Sequence, residues 1–182
     1  MIHADSSKSS ILDDWEKRRN VIIDVASGLH YLHEGSHQRI VHQDHKATSV
    51  SLDANWKAKI GDFGLVKFGY ISPEYIRYRR FSSQSDVFSF GVLVLEVIAC
   101  QKNVPSCDDA RSQMLHNLVR IRMLARERDK TNDGSLFNYR IRFGRGVTRC
   151  IHIALLCIQE DHKSRPHMSS VVDWLNTRSN PN

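Results

Sequence analysis

Apolar residues recur at steps of three, four and seven through Trp15, Ile22, Val25, Ala26, Leu29 and Leu32, which predicts one face of a long amphipathic helix from Asp14 to about Glu34. Gly35 is placed to end it. From Ile40 to Ile60 the period shortens, and the pieces VSLD and WKAKI read as strands joined through Asp53, Ala54 and Asn55 as a hairpin. A helix from about Ser85 to Cys100 is apolar on most sides and is expected at the centre of the fold. Met114, Leu115, Leu118, Ile121 and Leu124 continue helical spacing from about Asp108 to Arg126. Two shorter helices are expected at about Val147 to Gln159 and Met168 to Asn176, with Gly134 and its polar neighbours marking a loop. The fold class is therefore mainly α with a small β-hairpin region, an α+β arrangement.

Composition adds a setting. A chain of 182 residues with 41% hydrophobic content is expected to form one domain, burying roughly 70% of its unfolded surface. Twenty-six Lys and Arg against twenty Asp and Glu give a net charge of +6, which favours anionic partners such as acidic proteins, lipid surfaces or nucleic acid; the excess is mild and scattered, and no nucleic-acid partner is expected. The longest apolar stretch, Val87 to Cys100, is interrupted by Ser89 and Glu96, so no membrane span is expected. Cys100, Cys107, Cys150 and Cys157 lack CxxC spacing and read as free core thiols rather than disulfide or metal ligands. GRG at Gly144 to Gly146 lacks the strand and third glycine of a phosphate-binding turn and reads as a plain loop.

The chemistry concentrates in ordered motifs. His42-Gln-Asp-His-Lys-Ala-Thr-Ser49 is followed by IGDFG, Ile60 to Gly64, which places Asp62 eighteen residues after Asp44. SPEY from Ser72, SDVFSFGVLVLEV from Ser85 and KSRPHMSSVV from Lys163 come next, in the order of a kinase C-terminal lobe. With LDDWEKRRNVIIDVASGLHYLHEG and RCIHIALLCIQEDHKSRPHMSSVVDWL, the chain resembles the C-terminal lobe of a plant receptor-like Ser/Thr protein kinase, of the cysteine-rich or lectin receptor-like type. The resemblance runs from about Leu12 to Asn176. It implies a partial kinase domain over residues 1–182, with a polar start at 1–11, a catalytic loop at 42–49 and a shortened activation segment at 62–74.

That resemblance implies roles. Phosphoryl transfer needs a carboxylate to orient the attacking hydroxyl and accept its proton, and charges to neutralise the transferring group. Asp44 is the implied carboxylate, Lys46 meets the γ-phosphate, and Asp62 holds Mg²⁺ against ATP. Phe63 and His42 are implied to stack in an internal spine, with Gly64 closing the metal-binding triplet. Asp86 is implied to accept hydrogen bonds from the catalytic-loop backbone. Glu74 and Arg165 match an ion pair tying the SPE segment to the last helices, where a planar guanidinium meets a carboxylate bidentately.

The departures limit the activity implied. Ser49 stands where the family has an asparagine metal ligand, and Ser51 where it has an apolar floor for adenine. Gln43 replaces the loop arginine. Only LVKFGYI separates DFG from SPE, where the family has roughly twenty residues. No glycine-rich loop, strand lysine or hinge precedes Leu12, so the N-terminal lobe is expected to be lacking and ATP to bind only if such a lobe is supplied. The implied function is ATP-dependent phosphoryl transfer to protein hydroxyls, impaired in this chain. The alternatives are an inactive pseudokinase or interaction fragment with kinase partners, and a basic peripheral adaptor using Val119 to Lys130. The implied location is cytoplasmic, the kinase side of a plasma-membrane receptor. His30, His33 and His37 stand at steps that align imidazoles for a metal, but the same stretch fits a helix end with solvated histidines.

Overall fold

A computed structural model describes residues 15–43, 47–61, 70–99 and 134–177, with the backbone alone at 47, 99 and 134–145. The predicted N-terminal helix is α1, Trp15–His30, continued by a wider turn through Tyr31–Gly35. Its apolar stripe is buried at Val21, Ile22, Val25, Ala26 and Leu29. Two consecutive arginines on α1 reach the carbonyl ends of other helices. Arg18 Nη1 donates to Ile98 O at 3.3 Å, and Arg19 Nη2 donates to Leu175 O at 2.7 Å. Cations suit those positions because the last carbonyls of a helix lack intrahelical donors and carry partial negative charge.

The hairpin pairs β1, Val50–Leu52, with β2, Ala58–Ile60, antiparallel in the register Val50 to Ile60, Ser51 to Lys59 and Leu52 to Ala58. Asp53 makes the turn, its Oδ1 accepting the N–H groups of Asn55 at 2.8 Å and Lys57 at 3.0 Å. Those hydrogen bonds hold its carboxyl below the ordinary value. The hairpin is fastened to α1 by Asp24 Oδ2, which accepts from Ala58 N at 3.0 Å. Gly28 lets the two approach, since a Cβ there would stand 2.7 Å from Ile60 Cδ1.

A short helix, α2, Pro73–Tyr78, precedes the central α3, Ser83–Ala99. The periodicity did not predict α2, because six residues are too few to establish an apolar face, and none of them is buried. Every residue of α3 from Ser85 to Ile98 is buried, as expected of a helix that is apolar on most sides. It packs against α4, Gly134–Cys157, while α5, Met168–Asn176, packs against α1 and buries Met168, Val171 and Leu175 in the core. Cys150 and Cys157 are free and buried on α4, and burial pushes the Cys150 thiol up to about 11. Cys100 and Cys107 lie outside the described residues. Among the described residues, no helix is long and apolar enough to cross a membrane.

The expected break before Val147 is corrected. The helix begins at Gly134, and GRG is helical rather than a loop. Glycine normally weakens a helix, but at Gly146 it serves packing: a Cβ would stand 2.8 Å from Trp15 Nε1. The helix expected from Asp108 to Arg126, and with it the basic stretch Val119 to Lys130, lies outside the described residues.

Gly91 sets the approach of α3 to α4. A Cβ there would meet Ile158 Cγ2 at 2.7 Å, Cys157 Cβ at 2.8 Å and Ala154 O at 2.9 Å. Because backbone and core atoms stand in the way, Gly91→Ala is expected to lose about 1–3 kcal/mol of unfolding free energy. Gly61→Ala, whose nearest atom would be Ser49 O at 3.9 Å, is expected to change it little. Urea unfolding of the two variants checks the contrast.

Candidate active site

The site grows from one carboxylate. Asp86, in the first turn of α3 and 1% exposed, has both oxygens occupied. Oδ2 accepts from His42 N at 2.7 Å and meets His33 Nε2 at 2.9 Å, while Oδ1 accepts from Gln43 N at 3.0 Å. A buried carboxylate without donors would cost several kcal/mol, and these donors are what make the position tenable. Its place near the helix N-terminus adds the favourable end of the helix dipole.

Gln43 shows what the carboxylate holds. Its φ of 72° lies in the left-handed region, which costs a residue with a Cβ roughly 1–2 kcal/mol. The charge-assisted bond from its N–H to Asp86 offsets that strain. The His42 side chain is fully buried and its Nε2 lies 2.8 Å from Gly61 O, so that ring nitrogen donates to the carbonyl. Gly61 N in turn donates to Ser49 O at 2.8 Å. His42, Gln43, Ser49 and Gly61 thus form one hydrogen-bonded cluster on the N-terminal end of α3.

Of the residues expected to carry chemistry, Asp44, Lys46, Asp62, Phe63 and Gly64 lie outside the described residues. Asp44 follows directly on Gln43, and Asp62 follows directly on Gly61. Ser49 is buried just before β1, whereas Ser51 is exposed on β1, its hydroxyl 3.5 Å from Lys59 O. His33 corrects the expectation of solvated histidines: it is 5% exposed and bound to Asp86, while His30 lies 3.7 Å from Glu34. The signal was present in the sequence, since His33 stands four residues after Leu29 and seven after Ala26, on the apolar side of the helix.

A second polar centre lies at the other side of the α3 N-terminus. Arg165 Nη1 and Nη2 each donate to one oxygen of Glu74 at 2.8 Å, a bidentate pair. The remaining donors of the guanidinium go to Gln84 O and Gln159 O, both at 2.8 Å, and to Glu160 O at 3.3 Å. All five N–H groups of the fork are therefore used. Its face lies over Phe88, with Cζ 5.0 Å from the ring centroid. Ser85 Oγ donates to Glu74 Oε1 at 3.1 Å, and Ser89 Oγ, one turn after Asp86, donates to Tyr70 O at 2.8 Å. The chain entering α2 is thereby fixed to the same helix as the His42 cluster.

Burial alone would raise the Glu74 carboxyl, but the Arg165 hydrogen bonds, its own backbone N–H and the guanidinium charge outweigh that and hold it at about 2, against an ordinary 4.5. A depressed carboxylate contributes stability that is fully present above its unfolded pKa and is lost as pH falls toward the folded one. Wild-type stability is accordingly expected to fall between pH 4.5 and about 2, and Glu74→Gln to lack that component of the decline. Arg165→Leu, which strands the carboxylate, is expected to cost about 3–5 kcal/mol at pH 7. Chemical unfolding across that pH range measures both.

A family model described as protein tyrosine and serine/threonine kinase matches residues 12–133. Similar proteins in Arabidopsis thaliana include cysteine-rich receptor-like protein kinase 44, 43% identical over an alignment of 196 residues that covers 96% of this chain and 51% of that protein. Cysteine-rich receptor-like protein kinase 41 is 42% identical, with 96% of this chain and 29% of that protein covered. Putative cysteine-rich receptor-like protein kinase 20 is 37% identical, with 91% and 27% covered. The chain spans about half the length of the first of these relatives and under a third of the other two.

Proposed function

The chain belongs to the protein tyrosine and serine/threonine kinase family, and on that premise we propose that it supplies the catalytic-loop half of a site that moves the γ-phosphate of ATP to a serine or threonine hydroxyl of a protein. The carrying observation is His42. Its N–H is held by Asp86 and its imidazole holds Gly61 O, so the residues immediately before Asp44 and Asp62 are tied to one another and to α3. Catalysis of this kind is mostly positioning and charge neutralisation, which such fastening favours.

In this reading Asp44 orients the attacking hydroxyl and takes its proton, and Lys46 faces the γ-phosphate. Asp62 and Ser49 would hold Mg²⁺, which when bound neutralises charge on the phosphates. The donor set fits a hard cation that keeps several waters and takes one or two carboxylates. The hydrogen bond from Gly61 N to Ser49 O keeps the residue before Asp62 beside Ser49. A neutral serine hydroxyl is a weaker ligand than an asparagine carbonyl, so metal affinity and rate are set below those of a kinase with asparagine there. The described residues act in this reading as the C-terminal lobe, with the remaining phosphate and adenine contacts made by an N-terminal lobe.

Ser51 favours a second reading. Its exposed hydroxyl replaces an apolar surface under the adenine, and a fold that holds nucleotide weakly serves as a docking partner rather than a catalyst. A chimera decides between the two: this chain joined to the N-terminal lobe of a receptor-like kinase, assayed with radiolabelled ATP, Mg²⁺ and a generic protein substrate. Phosphate transfer is expected, falling about 100-fold or more in Asp44→Asn and likewise in Asp62→Asn, and rising in Ser49→Asn. Background transfer that neither aspartate substitution changes contradicts catalysis and supports the docking reading.

A further inference from the structure

Residues 76–80, Ile-Arg-Tyr-Arg-Arg, are exposed without a break. Of the four exposed large hydrophobic residues among the described residues, two stand here, Ile76 at 38% and Tyr78 at 67%. We propose that this ledge docks acidic segments of protein partners, which on the kinase reading above are its substrates.

The ledge is held rigid from beneath. Glu74 fixes α2 to the buried Arg165, so the helix has a firm base. Arg79, with φ 53°, ends it by donating its N–H to Tyr75 O at 2.8 Å, and its guanidinium lies 5.5 Å from the Tyr75 ring centroid. Tyr75 stacks on Phe81 with centroids 4.1 Å apart. The cations are thus presented on a preformed turn, which lowers the ordering cost of binding.

Charge selects the partner. Glu74, the carboxylate within α2, is committed to Arg165, and Arg77 meets Glu160, which leaves Arg79 and Arg80 as local excess charge among the described residues. Arg80 makes no hydrogen bond or ion pair with any described residue. Arg77 already shows how a carboxylate sits on the ledge: its Nη2 lies 2.8 Å from Glu160 Oε1, with the side chains 61% and 72% exposed. A pair so exposed contributes little to stability, so an incoming acidic side chain displaces Glu160 at low cost.

Position ties the ledge to the site. Tyr70, just ahead of α2, hangs from Ser89, one helical turn after the Asp86 that holds Gln43, the neighbour of Asp44. A six-residue helix rises only about 9 Å, so a short extended segment is long enough to cover the ledge. Three cations interleaved with Ile76 and Tyr78 suit a peptide that combines carboxylates with an apolar residue. Nucleic acid demands a longer run of phosphate contacts.

The test is fluorescence anisotropy of the whole chain with a labelled serine peptide carrying Asp and Glu residues and one Leu, against the same peptide with Lys at the acidic positions. The acidic peptide is expected to bind, more weakly as salt rises, and the Lys peptide not to bind. Arg79→Glu/Arg80→Glu is expected to weaken binding about tenfold or more. Arg80→Glu alone, which removes no contact seen in the fold, is expected to show a partial loss and guards against misfolding of the double variant. Lys57→Glu/Lys59→Glu, with the same change in net charge at exposed sites on the hairpin, is expected to bind normally.

Equal losses in the two double variants would reduce the effect to net charge and overturn the proposal. So would tighter binding of a DNA duplex or of phosphatidylserine vesicles that depends on Arg79 and Arg80. If the acidic peptide binds through the ledge yet the chimera does not phosphorylate it, the docking surface stands and the kinase reading fails.

Discussion

A single buried carboxylate organises the polar half of this molecule. Asp86 sits in the first turn of a helix that is otherwise among the most apolar segments of the chain, and it is tolerable there only because His33, His42 and Gln43 bring donors to it. The dependence is mutual. Without the carboxylate, Gln43 has no reason to hold a left-handed backbone, and the N–H groups of His42 and Gln43 lose their acceptor. Removing Asp86 would therefore release a loop as well as weaken a helix end.

The same helix carries the second centre. Ser85 and Ser89 flank Asp86 in sequence, one donating to Glu74 and the other to Tyr70 O. Phe88, between them, underlies the Arg165 guanidinium. Four neighbouring residues of α3 thus position the loop that leads to Asp44, the segment that leads to α2 and the turn before α5. The apolar remainder of α3, with Gly91 letting α4 come close, supplies the stiffness that makes those attachments effective. Buried apolar contact stabilises the assembly, while the polar contacts decide which loop lies where.

Much of this was legible in the sequence, for physical reasons that differ by residue. The apolar period exposed α1, α3 and α5, because each buries a face or the whole of its surface. Asp53 with Asn55 announced the hairpin, and the motif order pointed to Asp86 and to the pairing of Glu74 with Arg165. The start of α4 was missed because Gly144 and Gly146 look like breakers until Trp15 is seen against Gly146. His33 was missed because histidine is polar by composition, and only its place on the apolar face shows that it must be buried. Periodicity reports which side of an element faces inward; it does not report which long-range partner waits there, and α2 was too short to carry a period.

The central claim, that Asp86 holds the backbone leading to Asp44, is tested most directly by amide hydrogen exchange at His42 and Gln43. In the wild-type chain these two N–H groups are expected to be protected, and in Asp86→Asn, where one oxygen becomes a donor facing donors, their protection is expected to fall at least tenfold, about 1.4 kcal/mol. The Val92 and Leu93 amides within α3 serve as reference and are expected to stay protected. Unprotected His42 and Gln43 amides in the wild type, or protection unchanged by Asp86→Asn, would contradict the account.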